Sequence, residues 1–354
     1  MVEVAFRGLS RAQFMCFRRS AKPLILSPMP KSPPAPAKAP APGKAPTPGK
    51  ANGSTEVEVE GRTLSLSNLD KKLYPSGFTK AQVIHYYTQI APYLLPHLRG
   101  RPLTLKRYPN GSDGEFFYEK NCPKHRPPWV NTIAVFSEGN RAKMDYCEVG
   151  DLASLTWVAN LASLELHTSL SLGKALDRPT VLAFDLDPGA PAGVVACAQV
   201  ALWIRDLLAP LGLRAFPKTS GSKGLQVYVP LNGSQTYDIS KPFAHAVARL
   251  IEEQHPDQVT SEMKKTLRPG KIFIDWSQND PHKTTICVYS LRAKDRPTVS
   301  APVSWDEVSK AVKTGDAALL TFEAGDVVRR AKRDGDLWAE VATLKQKLPH
   351  EPAR

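Results

Sequence analysis

Asp185 and Asp187 stand two residues apart in Val181-Leu182-Ala183-Phe184-Asp185-Leu186-Asp187-Pro188-Gly189, an apolar run that reads as a strand ending in acid. Period two puts both carboxylates on one face and Leu186 on the other. Neighbouring carboxylates repel unless a cation lies between them, and at the mouth of a buried strand a hard divalent ion with oxygen ligands suits them. A surface turn carrying the same residues is the alternative. Asp275 ends a second apolar run, Ile272-Phe273-Ile274-Asp275-Trp276. Alone it reads equally as a cap or turn residue. Three aspartates on neighbouring strands can hold two ions that activate a 3′-hydroxyl and clamp a triphosphate for in-line displacement.

Between these acids lies Lys218-Thr219-Ser220-Gly221-Ser222-Lys223-Gly224-Leu225. Backbone N–H groups freed by the two glycines, together with Ser220, Ser222 and Lys223, can cradle phosphates. The spacing is not that of a Walker A loop and no helix follows. An ordinary hairpin turn has the same composition. Phe116 and Phe117 are flanked by Lys106, Arg107, Lys120 and Lys124. Exposed aromatics beside cations suit base stacking along a groove that tracks a nucleic-acid backbone, although adjacent phenylalanines in one strand should put at least one ring in the core. Cys122, His125 and distant Cys147 make only a loose zinc set without a paired Cys-x-x-Cys.

These residues need elements to hold them. Residues 56–67 alternate and turn at Glu60-Gly61, predicting a β-hairpin. Thr79 is positioned as the N-cap of a helix over 80–98. Strands are expected at 101–109 and 115–121, joined by Asn110-Gly111 and Asp113-Gly114 turns. The density of Leu, Ala and Trp157 over 151–172 predicts a largely buried helix. From Thr180 the pattern runs strand, helix (193–211), strand, turn, strand, helix (240–254), strand, which argues for an α/β or α+β core around one mixed sheet. Two amphipathic stretches after Ser304 predict peripheral helices.

Of 354 residues, 42% are hydrophobic, enough for a real core, while many of the 32 prolines crowd into a Pro/Ala/Lys-rich stretch over 31–50 that cannot form one. We therefore set residues 1–54 apart as a basic tail. The net charge of +13 favours a polyanionic partner. Five widely spaced cysteines fit a reducing bacterial cytoplasm, near the nucleoid, better than a disulfide framework. No stretch approaches the roughly 20 apolar residues of a membrane helix, so no membrane partner is expected.

The segments FDLDPG, TSGSKGLQVYVPL and IFIDWSQN, in this order and spacing, resemble the three motifs of the polymerase domain of bacterial ligase D, in the archaeo-eukaryotic primase superfamily. The likeness spans roughly residues 57–310 and includes SNLDKKLYPSGFTK, RPLTLKRYPNG, FFYEKN, LELH and YSLRAKDRPTVSAPVSWDEV. It implies a primase-polymerase α+β fold with an RRM-like mixed or antiparallel sheet flanked by helices, and an N-terminal β/α subregion. By the same resemblance a domain over 55–345 divides into a DNA-contacting part (55–150), a catalytic core (151–310) and C-terminal helices (311–345). Asp185, Asp187 and Asp275 would bind two Mn²⁺ or Mg²⁺ ions. His167, Ser220, Ser222, Lys223, Gln226, Gln278 and Arg292 would surround the nucleotide, and Asn68, Lys71 and Lys80 a DNA 5′-phosphate. Lys106, Arg107, Phe116 and Phe117 would meet the template. Gln226 departs from the pattern, since many relatives carry histidine there; an amide can donate to a phosphate but cannot carry charge.

The implied activity is DNA-dependent nucleotide addition at gapped or broken duplex ends from NTPs or dNTPs, with tolerance of ribonucleotides. No ligase domain is recognised in the sequence, so a stand-alone form working with a separate ATP-dependent ligase and Ku is expected. Gap filling in excision repair and non-catalytic end bridging are the alternatives.

Overall fold

The computed structural model describes residues 50–51, 54–137 and 141–349. The basic tail lies outside them except at its end, where Lys50–Ala51 (β1) pairs antiparallel with the start of Ser54–Val59 (β2). β2 turns into Arg62–Ser67 (β3) through Glu60 and Gly61, whose φ values of 50° and 73° make the left-handed pair that matches strand twist. The helix α1 (Lys80–Leu98) starts where its capping signal predicts. The Thr79 hydroxyl accepts from the Gln82 amide at 3.3 Å and the Gln82 side chain accepts from the Thr79 N–H at 2.7 Å.

Next come β4 (Leu103–Arg107), β5 (Phe117–Glu119), β6 (Thr132–Ser137) and β7 (Ala142–Cys147). The buried helix expected over 151–172 is only α2 (Leu152–Asn160), and a strand, β8 (Ser163–Ser169), takes the rest. Ala162, at φ 56°, breaks the helix between them. The remaining elements follow the expected alternation: β9 (Val181–Pro188), α3 (Val194–Leu208), β10 (Phe216–Thr219), β11 (Leu225–Pro230), α4 (Tyr237–Gln254), β12 (Val259–Thr260), β13 (Ile272–Asp275) and β14 (Thr284–Ile286). Three helices close the described chain, α5 (Trp305–Thr314), α6 (Ala324–Asp334) and α7 (Ala339–Thr343).

Instead of one mixed sheet there are three among the described residues. The β1-β2-β3 sheet is small; the second runs β10-β11-β9-β13-β12, and the third β14-β8-β4-β7-β6 with β5 added to β4. The second is antiparallel apart from the β12/β13 pair. Two sheets form because each has its own apolar backing. Leu182, Phe184 and Leu186 of β9 pack with Cys197, Ala201 and Ile204 of α3. Leu105, Leu164 and Leu166 of β4 and β8 pack with Ile90 and Leu94 of α1. The third sheet draws its strands from both sides of residue 150.

By length and composition the segment Val194–Leu211 passes for a membrane span, which the sequence reading overlooked. Its buried residues face the second sheet and its core. The cysteine expectation needs a larger correction. Cys122 and Cys147 are disulfide-bonded, with Cα atoms 4.8 Å apart, while Cys197 and Cys287 are free and buried; Cys16 lies outside the described residues. Both thiols of the imagined zinc set are consumed by this bond. The main-chain N–H of Cys122 donates to Asp145 O at 2.6 Å, and that alignment brings the two cysteines together.

Candidate active site

A cavity of about 770 Å³ opens between the second and third sheets. Asp185 and Asp187 of β9 and Gln226 of β11 line it from one side, Thr104 of β4, His167 of β8 and Thr285 of β14 from the other. The alternation along β9 is as expected: Leu186 is buried in the core, whereas Asp185 is partly and Asp187 largely open. Asp275 sits directly across from Asp185 in the β9/β13 register.

Burial, then the charge of Asp187, pushes the Asp185 carboxyl up to about 7, against the pull of Gln226 and Lys218. Burial and the charge of Asp275 likewise raise Asp187. Two carboxylates that hinder each other's ionisation form an all-oxygen donor set suited to a hard divalent ion. The third is otherwise engaged. Asp275 Oδ1 accepts from the Ser277 N–H at 3.0 Å and its Oδ2 from Gln278 Nε2 at 2.7 Å. Among the described residues no three acidic, histidine or cysteine side chains converge as a ready-made ligand cluster, and the hydrogen bonds to Asp275 leave lone-pair capacity on its carboxylate.

The loop over 220–224 differs from a simple phosphate cradle. Ser220 Oγ accepts from the N–H groups of Ser222, at 3.2 Å, and Gly224, at 3.1 Å, so those donors are turned inward. Glycine is needed at 224, where a Cβ would fall 2.2 Å from Leu186 O. The exposed side chains of Ser222 and Lys223 remain to face the cavity. Arg292 joins the two walls: its Nη1 donates to Ser220 O at 3.2 Å, and its Nε lies 3.3 Å from Glu165 Oε1.

Glu165 is the hub behind the third sheet's wall. His167 Nε2 lies 3.0 Å from Oε2 and Lys106 Nζ 3.8 Å from it, and the Ala293 N–H donates to Oε1 at 3.1 Å. Burial pushes this carboxyl up, but the His167 hydrogen bond and the charges of Arg292 and Lys106 overcome it and hold it down at about 2. His167 is thus a partner of Glu165 at the cavity edge, with burial lowering its own affinity for a proton.

Phe116 and Phe117 are 50% and 44% exposed, so neither ring enters the core, and Tyr118 adds a third at 55%. Lys106 Nζ lies 4.1 Å from the Phe116 ring centre and the Arg107 guanidinium 5.1 Å from that of Phe117. Arg107 is also paired with Glu119 at 2.8 Å. Asn68, Lys71 and Lys80 meet through the backbone: Lys71 N–H donates to Asn68 O and Lys80 N–H to Lys71 O. Lys80 Nζ, buried, donates to Ser67 O at 2.7 Å, while Lys71 Nζ reaches Asn110 Oδ1 at 3.2 Å. Desolvation, helped by the charges of Lys71 and Arg107, lowers Lys80 to about 8.

Residues 79–338 match the family model described as LigD, primase-polymerase domain. This chain belongs to that family. The LigD primase-polymerase match agrees with a solved structure of the polymerase domain of Mycobacterium tuberculosis ligase D in complex with DNA, which aligns with TM-score 0.73 and 39% identity over 80% of this chain and 99% of that one. The multifunctional non-homologous end joining protein LigD of Mycobacterium bovis is 41% identical over 287 residues, 77% of this chain and 36% of the relative. The bifunctional LigD of Bacillus subtilis is 34% identical, over 77% of this chain and 43% of its own length. The chain therefore spans less than half the length of these curated relatives.

Sequence reasoning missed several residues of this LigD primase-polymerase chain. Glu165 was inside the quoted LELH segment but passed over as part of a helix; its alternation with Leu164 and Leu166 was the available signal. Lys218 was quoted only as the edge of the glycine loop, yet it is buried beside Gln226. Asn279 also went unnoticed: its side chain accepts from the Ala183 N–H at 2.9 Å and donates to Ala183 O at 2.7 Å, binding the Asp275 segment to β9.

Proposed function

We propose that this chain is a DNA-templated nucleotidyltransferase that fills short gaps or extends broken ends, using NTPs or dNTPs, in break repair alongside Ku and an ATP-dependent ligase activity. The observation that carries the reading is the Asp185/Asp187 pair in a cavity whose other charges include Lys223, Arg268, Lys283 and Arg292. Its volume of about 770 Å³ accommodates a nucleoside triphosphate. Relatives named for non-homologous end joining and a fold neighbour solved with DNA support the substrate class.

Asp185, Asp187 and Asp275 would hold two divalent ions, Mn²⁺ or Mg²⁺. Bound there, the ions supply Lewis-acid activation of the primer hydroxyl and neutralise charge on the transferred phosphoryl group. The side chains do the rest. Lys223 and Arg292 draw in the triphosphate, with Ser222 and Gln226 as neutral donors. His167, held against Glu165, orients the nucleotide without adding a full charge, and this wall is where tolerance of a ribose would be decided. The Phe116 and Phe117 rings stack on template bases, worth about 1–3 kcal/mol per base. Lys71, Lys80 and Asn68 bind the 5′-phosphate across the gap.

The test is primer extension on a gapped duplex with Mn²⁺ or Mg²⁺, comparing native chain with an Asp185→Ala/Asp187→Ala variant and NTPs with dNTPs. Extension by the native chain alone is expected. Equal extension by both, or none by either, would overturn the reading.

A further inference from the structure

Four side chains stand abreast across the second sheet. Lys218 on β10 pairs with Gln226 on β11, Gln226 with Asp185 on β9, and Asp185 with Asp275 on β13. Directly opposed residues on neighbouring strands share a face, so the row reads cation, amide, carboxylate, carboxylate. Lys218 is 1% exposed and Gln226 3%. Lys218 Nζ donates to Gln226 Oε1 and, at 2.7 Å, to Ser300 Oγ, which itself donates to Thr219 O at 3.0 Å. Both acceptors of the ammonium are neutral, and a buried charge so placed costs stability that an apolar side chain would not.

The arrangement makes sense through the amide. An ammonium has donors and no acceptor, so its contact dictates which end of Gln226 faces which way: Oε1 toward Lys218 and the NH₂ toward Asp185. Tyr228 lies against the same oxygen, its hydroxyl 3.5 Å away, and spends its proton on Thr285 Oγ1 at 2.9 Å. Without Lys218 the amide oxygen keeps only the long Tyr228 contact, and the amide is freer to reverse and turn a lone pair on the carboxylate.

We propose that Lys218 is a positioning residue for the metal-binding carboxylate, locking the Gln226 amide so that its N–H group holds Asp185 in the orientation that faces the cavity. This rests on the reading of Asp185 as a metal ligand. Groups that orient ligands from behind change metal affinity by roughly 10–100-fold when removed, and a residue acting only through packing would leave that affinity alone.

The experiment measures Mn²⁺ binding to the full chain, without DNA or nucleotide, by the electron paramagnetic resonance of free and bound ion. Native chain is expected to bind, Asp185→Ala to lose the site, and Lys218→Met to bind roughly 10-fold more weakly. Adding Gln226→His to Lys218→Met should restore affinity, because an imidazole N–H reaches Asp185 without a cation to orient it. Unchanged or tighter binding by Lys218→Met, with Asp185→Ala inactive in binding, overturns the inference and leaves the metal reading standing. Loss without rescue by histidine shows that Lys218 does not act through the Gln226 amide and overturns it too. Native chain that takes up no Mn²⁺ overturns both. Should Lys218→Met fail to fold, Ser300→Ala, which keeps the cation and removes one anchor, decides: several-fold weaker binding supports the inference and native affinity overturns it.

Discussion

Glu165 and Asp185 are carboxylates on opposite sides of one cavity, and the fold surrounds them in contrary ways. Glu165 is ringed by Arg292, Lys106 and His167 and lies at about 2; Asp185, beside Asp187 and Asp275, is pushed up to about 7. The first is a completed electrostatic unit. The second is an incomplete one, and the difference separates an acid that organises the wall from an acid whose charge its own neighbours oppose.

The largest expected effect comes from the incomplete side. Asp185→Asn should cut nucleotide addition by ~10³-fold or more, since several kcal/mol of transition-state stabilisation depend on the ligand. Its stability should move the other way. The folded state keeps a proton on Asp185 well above the ordinary 3.8 of the unfolded chain, so in chelator the native protein loses stability as pH rises from about 4 to about 7. Asparagine does not titrate. Thermal melts at pH 5 and pH 8 should therefore show the variant gaining on the native chain at the higher pH, with Mn²⁺ closing the gap. Parallel melts would break the comparison.

Glu165→Gln should do the opposite, costing about 3 kcal/mol because it strands Arg292 and Lys106. The Glu165 carboxyl is lowered from its ordinary 4.5, so its contribution is fully present above that value and lost as pH falls toward 2. Chemical denaturation at pH 7 and pH 3 measures both statements; the variant's deficit should shrink at the lower pH. A deficit that persists would mean the ring of cations is not what Glu165 serves.

Lys80 sharpens the contrast on a smaller scale, as a buried cation whose acceptors are neutral and whose nearby charges are like its own. With its ammonium lowered to about 8, preference for gaps bearing a 5′-phosphate over those without should decline several-fold between pH 7 and pH 9. Lys80→Met should abolish both the preference and its pH dependence, read as the ratio of extension rates on the two substrates.

Local signals carried the fold a long way. Glu60-Gly61, the Thr79/Gln82 capping box and the alternation of Asp185, Leu186 and Asp187 each encode their geometry within a few residues, and each appears as read. What failed was non-local or two-sided. Residues 163–169 are buried along nearly their whole length, so apolar density hid a strand behind a helical reading. The Cys122–Cys147 bond joins positions 25 residues apart that only the sheet aligns. Exposure of both Phe116 and Phe117 was invisible because Phe116 precedes β5 and escapes strand alternation. At the site the acids and Arg292 were legible, but other groups that set their charge, Lys218 and Glu165, come from other strands.

The inward hydrogen bonds of Ser220 have a further consequence for engineering. A turn held closed by its own serine does not depend on the side chains at its tip. Positions 222 and 223 are therefore interchangeable contacts on a fixed mount: replacing them alters what the cavity grips while the backbone that presents them keeps its shape. Libraries restricted to those two sites should return folded proteins with shifted nucleotide selectivity, whereas libraries that include Ser220 or Gly224 should be dominated by chains that have lost the mount itself.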